Sequence, residues 1–331
     1  MCIRDRLEAL QAGSSLETFQ ALAEPVDQYL DYQGQTAARL QVCRLGILAA
    51  RAGRDQLEEG VWLNRLGIVY DFFGQPERTI EYLEQALAIA REIGNLSGEG
   101  YWLGNLGNAY SSLGQIERAI EYYQEALKIN REIGDRGGEG SALGSLGNAY
   151  SSLGQVERAI GYYERALKIH REVRDRRSES INLGNLGFAH YTLGWLEQAV
   201  DFYQQALAIA AEIGDRREES SLLSKLGSAY YTLGRPEQAI EYYQQALAVD
   251  REIDDLDRQG RNLGNLGACC QALGQVEQAL AYYEQALAID RETGDRAGEA
   301  IRLYNLGNAY RNQGQPEQAV EFYEQALELS L

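Results

Sequence analysis

The sequence predicts an all-α protein, a right-handed α-solenoid of antiparallel helix pairs, on three observations. The motif Leu-Gly-Asn-Leu-Gly-Asn-Ala-Tyr, complete at 103–110, returns every 40 residues, with Gly67, Gly107, Gly147, Gly187, Gly227, Gly267 and Gly307 in step. Ala86, Ala126, Ala166, Ala206, Ala246, Ala286 and Ala326 keep the same register. A fixed period of this length marks units that bury their apolar faces by stacking on neighbours. Each period carries two apolar stripes at helical spacing, and Gly and Asp at fixed offsets separate them.

Residues 1–6 fall outside the pattern. Met1-Cys2-Ile3-Arg4-Asp5 is what a string resembling the transposon end used in preparing sequencing libraries encodes, so a non-native start is expected there. Residues 7–59 are expected to form a degenerate N-terminal capping repeat. Gly34-Gln35 lies 40 residues before Gly74-Gln75 and Arg51 matches Arg91, but Asp27 takes the Gly67 place, Gly46 the Ala86 place, and Pro25 interrupts the first helix. Residues 60–331 hold seven repeats: 60–99, 100–139, 140–179, 180–219, 220–259, 260–299 and 300–331.

In the second repeat, Leu103, Leu106, Gly107 and Tyr110 make the stripe of helix A. Leu113-Gly114-Gln115 interrupts it, and Ala119, Ile120, Tyr123, Ala126, Leu127 and Ile133 make the stripe of helix B. Gly134 stops helix B and Asp135 is placed to cap the next helix A. A glycine inside a helix costs roughly 0.5–1 kcal/mol relative to Ala, so the recurring Gly107 needs a packing reason. It faces Ala119, with Tyr110 and Tyr123 filling the space alongside. Pro76, Pro236 and Pro316 open helices B, where a missing N–H costs little. The last helix B leaves Tyr323, Leu327 and Leu331 without a following helix, an apolar end suited to end-to-end self-association.

Composition narrows the function. A net charge of −18 opposes nucleic-acid backbones and anionic membranes, and there is no long apolar run to span a bilayer. The four cysteines have no CxxC or Cys/His spacing, which fits buried thiols in a reducing cytoplasm. Of the two histidines, His190 replaces the Tyr110-type residue and reads as packed core. His170 reads as surface. There is no GxSxG, HExxH or GxxxxGK[ST], and the acidic residues are interleaved with Arg and Lys as on a solvated face. No catalytic residue, cofactor or metal is implied.

The pattern of large-xx-Leu-Gly-xx-Tyr followed by Ala, aromatic and Ala is met by Leu103, Leu106, Gly107, Tyr110, Ala119, Tyr123 and Ala126. It resembles the tetratricopeptide repeat (TPR) family over seven copies, which implies the superhelical fold named above. The usual Trp of helix A is Leu103 and the usual Pro after helix B is Arg131, so helix B runs about two turns further than in a 34-residue repeat. This longer form looks most like spindle-orientation adaptors of the Pins type, more distantly like kinesin light chain. Bacterial chains of similar pattern often precede a caspase-like peptidase domain or follow a nucleotide-binding one.

The resemblance implies that helices A line a concave groove that holds a protein or peptide partner. The residues opposite the buried stripe are Tyr101, Asn105, Asn108, Asn148, Asn185, Phe188, Lys225, Tyr231, Arg261, Asn265, Asn305 and Asn308. Asn amides can meet a peptide backbone, and the same Asn positions are also a generic feature of the family. Hydrogen bonds alone barely offset the cost of association, so Tyr101, Phe188, Tyr191 and Tyr231 are the expected apolar anchors. Lys225, Arg261 and Arg302 are the cationic candidates, and the first two are expected to select an acidic residue. The first four repeats lack the Lys/Arg and Asn set of a two-carboxylate clamp. The leading expectation is an interaction scaffold for an extended peptide or short helix; the alternatives are the arm of a larger bacterial signalling protein and a self-associating structural solenoid.

Overall fold

A computed structural model of the chain describes Asp27 and residues 36–330, and among them every regular element is an α-helix. The chain divides into two units, Met1–Val173 and Arg174–Leu331. The first holds α1 (Thr36–Gly53), α2 (Gln56–Phe72), α3 (Pro76–Ile93), α4 (Leu96–Ser112), α5 (Ile116–Glu132), α6 (Arg136–Ser152) and α7 (Val156–Val173). Helices α2 and α3, α4 and α5, and α6 and α7 pair as A and B, and within this unit α3 packs on α4 and α5 on α6. Helix α1 packs on α2 in the place of a preceding helix B.

The second unit holds α8 (Arg176–Thr192), α9 (Leu196–Ile213), α10 (Arg216–Thr232), α11 (Pro236–Glu252), α12 (Leu256–Ala272), α13 (Val276–Thr293), α14 (Arg296–Asn312) and α15 (Pro316–Ser330), paired in the same way. The fold is an all-α solenoid, and α2–α15 are the fourteen helices that the register predicts. Of the degenerate repeat, Pro25, Gly34 and Gln35 lie outside the described residues, as do residues 1–6. Asp27 is buried and pairs with Arg39 at 3.0 Å and Arg65 at 3.6 Å.

Capping follows the sequence closely. Asp55, Asn95, Asp135, Asp175, Asp215, Asp255 and Asp295 each accept a hydrogen bond from the backbone N–H three residues on, satisfying one orphan donor at the start of every helix A of the seven pairs. Gly114 at the A–B turn has φ 72° and Gly134 after helix B has φ 72°, a region that favours glycine. Arg54, Arg174 and Asp254 hold the same left-handed conformation without being glycine.

From Gly107 onward the recurring helix A glycine has one physical cause. A Cβ added to Gly147 would stand 2.5 Å from the Tyr163 ring, and one on Gly227 2.7 Å from Tyr243. The tyrosine of helix B lies flat on the bare backbone of helix A, so the two axes approach closely. The pair α2–α3, with Leu83 in place of the tyrosine, is looser: the nearest atoms to a Cβ on Gly67 are at 3.2 Å. Trp62 and Trp102, both buried, lie on Gly46 and Gly60 of neighbouring helices in the same manner.

Two side chains differ from expectation. His170 is buried, 1 % exposed, rather than on the surface. It lies against Gly140, where an added Cβ would stand 2.8 Å from the ring. The last turn of helix B faces its own helix A and the next one at once: Asn130, in the same place, adjoins both Gly100 and Gly138. Ile133, read as part of the buried stripe, is exposed, as are Ile93, Val173 and Ile213 at the same register, because that place lies beyond the facing helices whether or not helix B includes it. His190 is packed but only half-buried, with Nδ1 2.8 Å from the Leu186 carbonyl oxygen and its ring 4.8 Å from that of Phe202. Cys43, Cys269 and Cys270 are buried free thiols, and burial pushes Cys43 and Cys269 up to about 12.

Candidate functional site

Within the first unit, the outward faces of α4 and α6 border a cleft of about 290 Å³. Tyr101, Gly104, Asn105 and Asn108 form its α4 wall, Ser141, Ala142 and Ser145 its α6 wall, and Tyr123, Ala126 and Asn130 of α5 its floor. Tyr101 is 60 % exposed. Gly104 leaves the wall open, since a Cβ there would meet nothing within 4 Å. Three of the predicted residues, Tyr101, Asn105 and Asn108, therefore share one site.

The Asn residues divide into two kinds. Asn108 Oδ1 accepts the Tyr123 hydroxyl at 2.8 Å, Asn148 that of Tyr163 at 2.8 Å, and Asn308 that of Tyr323 at 3.0 Å. Ser228 stands in for Asn beside Tyr243 at 2.9 Å. A buried tyrosine needs a partner for its hydroxyl, and these Asn oxygens provide it. In Asn108 and Asn308 the NH2 groups remain to meet a ligand. The other kind sits three residues earlier: Asn105 donates to Asn64 Oδ1 of α2 at 2.8 Å, and Asn185, Asn265 and Asn305 are half-buried.

Within the second unit, a cleft of about 240 Å³ opens between α10 and α12, lined by Ser221, Ser224, Lys225, Arg258, Arg261, Asn262 and Asn265. Lys225, Arg261 and Asn265 are brought together as the sequence placed them. Arg258 was missed, because its position one turn earlier on α12 lies off the stripe opposite Leu266. It donates to the Arg217 carbonyl at 2.7 Å and pairs with Asp255 at 3.3 Å. Burial pushes the Lys225 ammonium down, Glu218 draws it back up, and Arg258 adds to the lowering. Burial likewise pushes the Glu218 carboxyl up.

Phe188 and Tyr231 are exposed, and the hydroxyls of Tyr191 and Thr232 lie 2.9 Å apart. Arg302 does not serve as a surface cation: it is 9 % exposed and paired with Asp290 at 3.3 Å, where it occupies the space above Gly264. Asn148, Asn185, Phe188, Tyr231, Asn305 and Asn308 border neither cleft.

A wider cleft of about 470 Å³ lies on helices B, between α3 and α5, lined by Glu84, Arg91, Glu121, Tyr122 and Glu125 among others. Its one cation is already engaged, since Arg91 binds Glu99 at 2.7 Å and Glu125 at 3.2 Å. Among the described residues no group of His, Cys, Asp and Glu is arranged to hold a metal, and no helix is long and apolar enough to cross a membrane.

A family model described as Tetratricopeptide repeat matches residues 99–172, 178–252 and 259–331, and a second of that description matches 224–292. A model described as Anaphase-promoting complex subunit 5 matches residues 14–106. No curated protein matches. Among solved structures, the chain is similar to BtubC (BKLC) from P. vanneervenii at 24 % identity and TM-score 0.59, covering 65 % of this chain and 91 % of that one. It is similar to the STAND protein with a tetratricopeptide repeat sensor, PH0952 from Pyrococcus horikoshii, at 18 % identity and TM-score 0.76, covering 97 % of this chain and 51 % of that one. The chain thus spans about half the length of that protein. The apo quorum sensor NprR from B. thuringiensis aligns at 16 % identity and TM-score 0.71, covering 99 % and 97 %. At these identities the likeness is one of fold.

Proposed function

The chain belongs to the tetratricopeptide repeat family, and from that premise we propose that it is a cytoplasmic interaction scaffold, not a catalyst, that binds an extended peptide or short helix of a protein partner on the faces of helices A. The observation that carries this is the cleft between α4 and α6, where Tyr101 stands exposed over a glycine-opened wall. Exposed aromatic anchors beside a pocket dominate interface energetics, and the Asn NH2 groups supply register. The helix B cleft is the competing face, but its arginine is consumed by ion pairs within the fold.

The test is a random peptide library selected on the full chain. Selected peptides are expected to bind with roughly micromolar affinity, to lose at least tenfold on Tyr101→Ala with an unchanged melting temperature, and to tolerate Glu121→Lys. Loss on Glu121→Lys with Tyr101→Ala inert would move the site to helices B. A second reading, the sensing arm of a larger bacterial signalling protein, is favoured by the alignment with half of a STAND protein that carries a repeat sensor. Flanking genomic sequence decides it: an open reading frame running into a catalytic domain supports the arm, and a stop codon on both sides removes it.

A further inference from the structure

Three cations converge in the cleft between α10 and α12, in a chain of net charge −18; a neighbouring cleft also gathers Arg177, Arg217 and Arg258, but Asp215 and Glu218 line it with them. No carboxylate lines the α10–α12 cleft. Lys225 is half-buried, and among the described residues no hydrogen bond or ion pair reaches its ammonium. Arg261 spends one donor on the Asp257 carbonyl at 3.4 Å and keeps the rest of its guanidinium free. Among the described residues, Asn265 and Ser221 make no hydrogen bond through their side chains. Asn262, by contrast, is consumed: it donates to Asp250 at 2.7 Å and accepts from Ser224 at 2.8 Å. Holding an ammonium partly out of water with only the more distant Glu218 charge to favour it is costly, and folds retain such groups where a ligand completes them.

We propose that this cleft is a subsite for a phosphoryl group carried on a side chain of the bound peptide, an inference that rests on the helix A reading above. The free donors are an ammonium, most of a guanidinium, an amide and a hydroxyl, with the Arg258 charge behind them. One carboxylate returns a single charge and two oxygens. A phosphoryl group returns between one and two charges near neutral pH and three acceptor oxygens, which matches the donor set better. The size of the cleft suits one such side chain and not a large ligand. Because the chain as a whole repels anions, a phosphoryl group that binds must do so at a local site.

Acetylated tripeptide amides of Gly-phosphoserine-Gly and Gly-Glu-Gly, titrated into the full chain and followed by calorimetry and by phosphorus NMR, test this. The phosphoserine peptide is expected to bind saturably and at least tenfold tighter than the glutamate peptide. Lys225→Met and Arg261→Met should each weaken it tenfold or more, while Lys225→Met melts at about the same temperature, since no hydrogen bond or ion pair within the described residues holds the ammonium. Equal affinity for the glutamate peptide, absence of saturable binding, or binding undiminished in Lys225→Met overturns the proposal. So does a lowered melting temperature of Lys225→Met, which would mean that the fold itself uses the ammonium. Neither tripeptide depends on the Tyr101 cleft, so failure here with the Tyr101→Ala result intact removes only this inference.

Discussion

Gly104 and Gly107 sit three residues apart in α4 and separate packing from propensity. A Cβ on Gly104 would meet nothing within 4 Å, whereas one on Gly107 would press into the Tyr123 ring. Gly104→Ala is therefore expected to stabilise by about 0.5–1 kcal/mol, the helix-propensity difference alone. Gly107→Ala gains the same propensity but overpacks, and should destabilise by about 1–3 kcal/mol net; Gly147→Leu should cost more. Urea titrations check the pair, and equal signs would refute this account. Asn108 adds a lesson about legibility. Its residue type and face were readable on the helix A wheel, but its partner, the Tyr123 hydroxyl, lies 15 residues on, in helix B. Outward-facing Asn residues that met only a ligand would let an Asn105→Ala/Asn108→Ala variant melt normally. With the tyrosine hydroxyl left without its acceptor, a loss of about 1–3 kcal/mol is expected instead, which makes Tyr101→Ala the cleaner probe of binding.

At the scale of elements, the helices and their caps were legible because period, Gly and Asp each act locally. The contacts between elements were legible only where they repeat. Buried His170 and Asp290 escaped because the place they share with Asn130 and Asp250 is buried in each of the first six repeats while its residue type varies, so no single residue marks it in the pattern; Arg302 is buried with Asp290 over the bare backbone of Gly264. Arg136, Arg176 and Arg216 each clasp a Glu one turn on in helix A and a second at the end of helix B of the same pair: Glu139 and Glu172, Glu179 and Glu212, Glu219 and Glu252. Burial works to raise the Glu139 carboxyl, but hydrogen bonds from Arg131 and Arg136 outweigh it and hold the group below the usual range. A carboxyl depressed in the folded state contributes stability that is present above the ordinary Glu value of about 4.3 and is lost as pH falls through the depressed one. Glu139→Gln should thus lower stability at pH 7 and flatten the acid limb below about pH 4.3. Melting curves from neutral to acid pH test it, and an acid limb as steep as that of the parent would exclude the clasp as its source.

For the molecule as a whole, a stack of repeats is stabilised by nearest-neighbour interfaces, so its weakest point is where an interface is missing. Helix α15 shows where that is. Leu127, Leu167, Leu247 and Leu287 are 6–8 % exposed in their helices B, while Leu327 in the same register is 61 % exposed and Val320 is 52 % exposed against 9 % for Ile120. Among the described residues nothing packs on that face of α15; Leu331, predicted to share it, lies outside them. Local opening there needs only the α14–α15 contact to break, whereas α13 is held from both sides. Amide hydrogen exchange on the dilute protein should accordingly show α15 exchanging well before α13, and Leu327→Lys should leave α13 protection unchanged. If a second copy covers this face, as end-to-end association requires, α15 protection and the sedimentation coefficient should rise together with protein concentration in the parent, and neither should rise in Leu327→Lys. Concentration-independent exchange and sedimentation in the parent would count against self-association through α15, while α15 exchanging as slowly as α13 in the dilute monomer would refute the nearest-neighbour account itself.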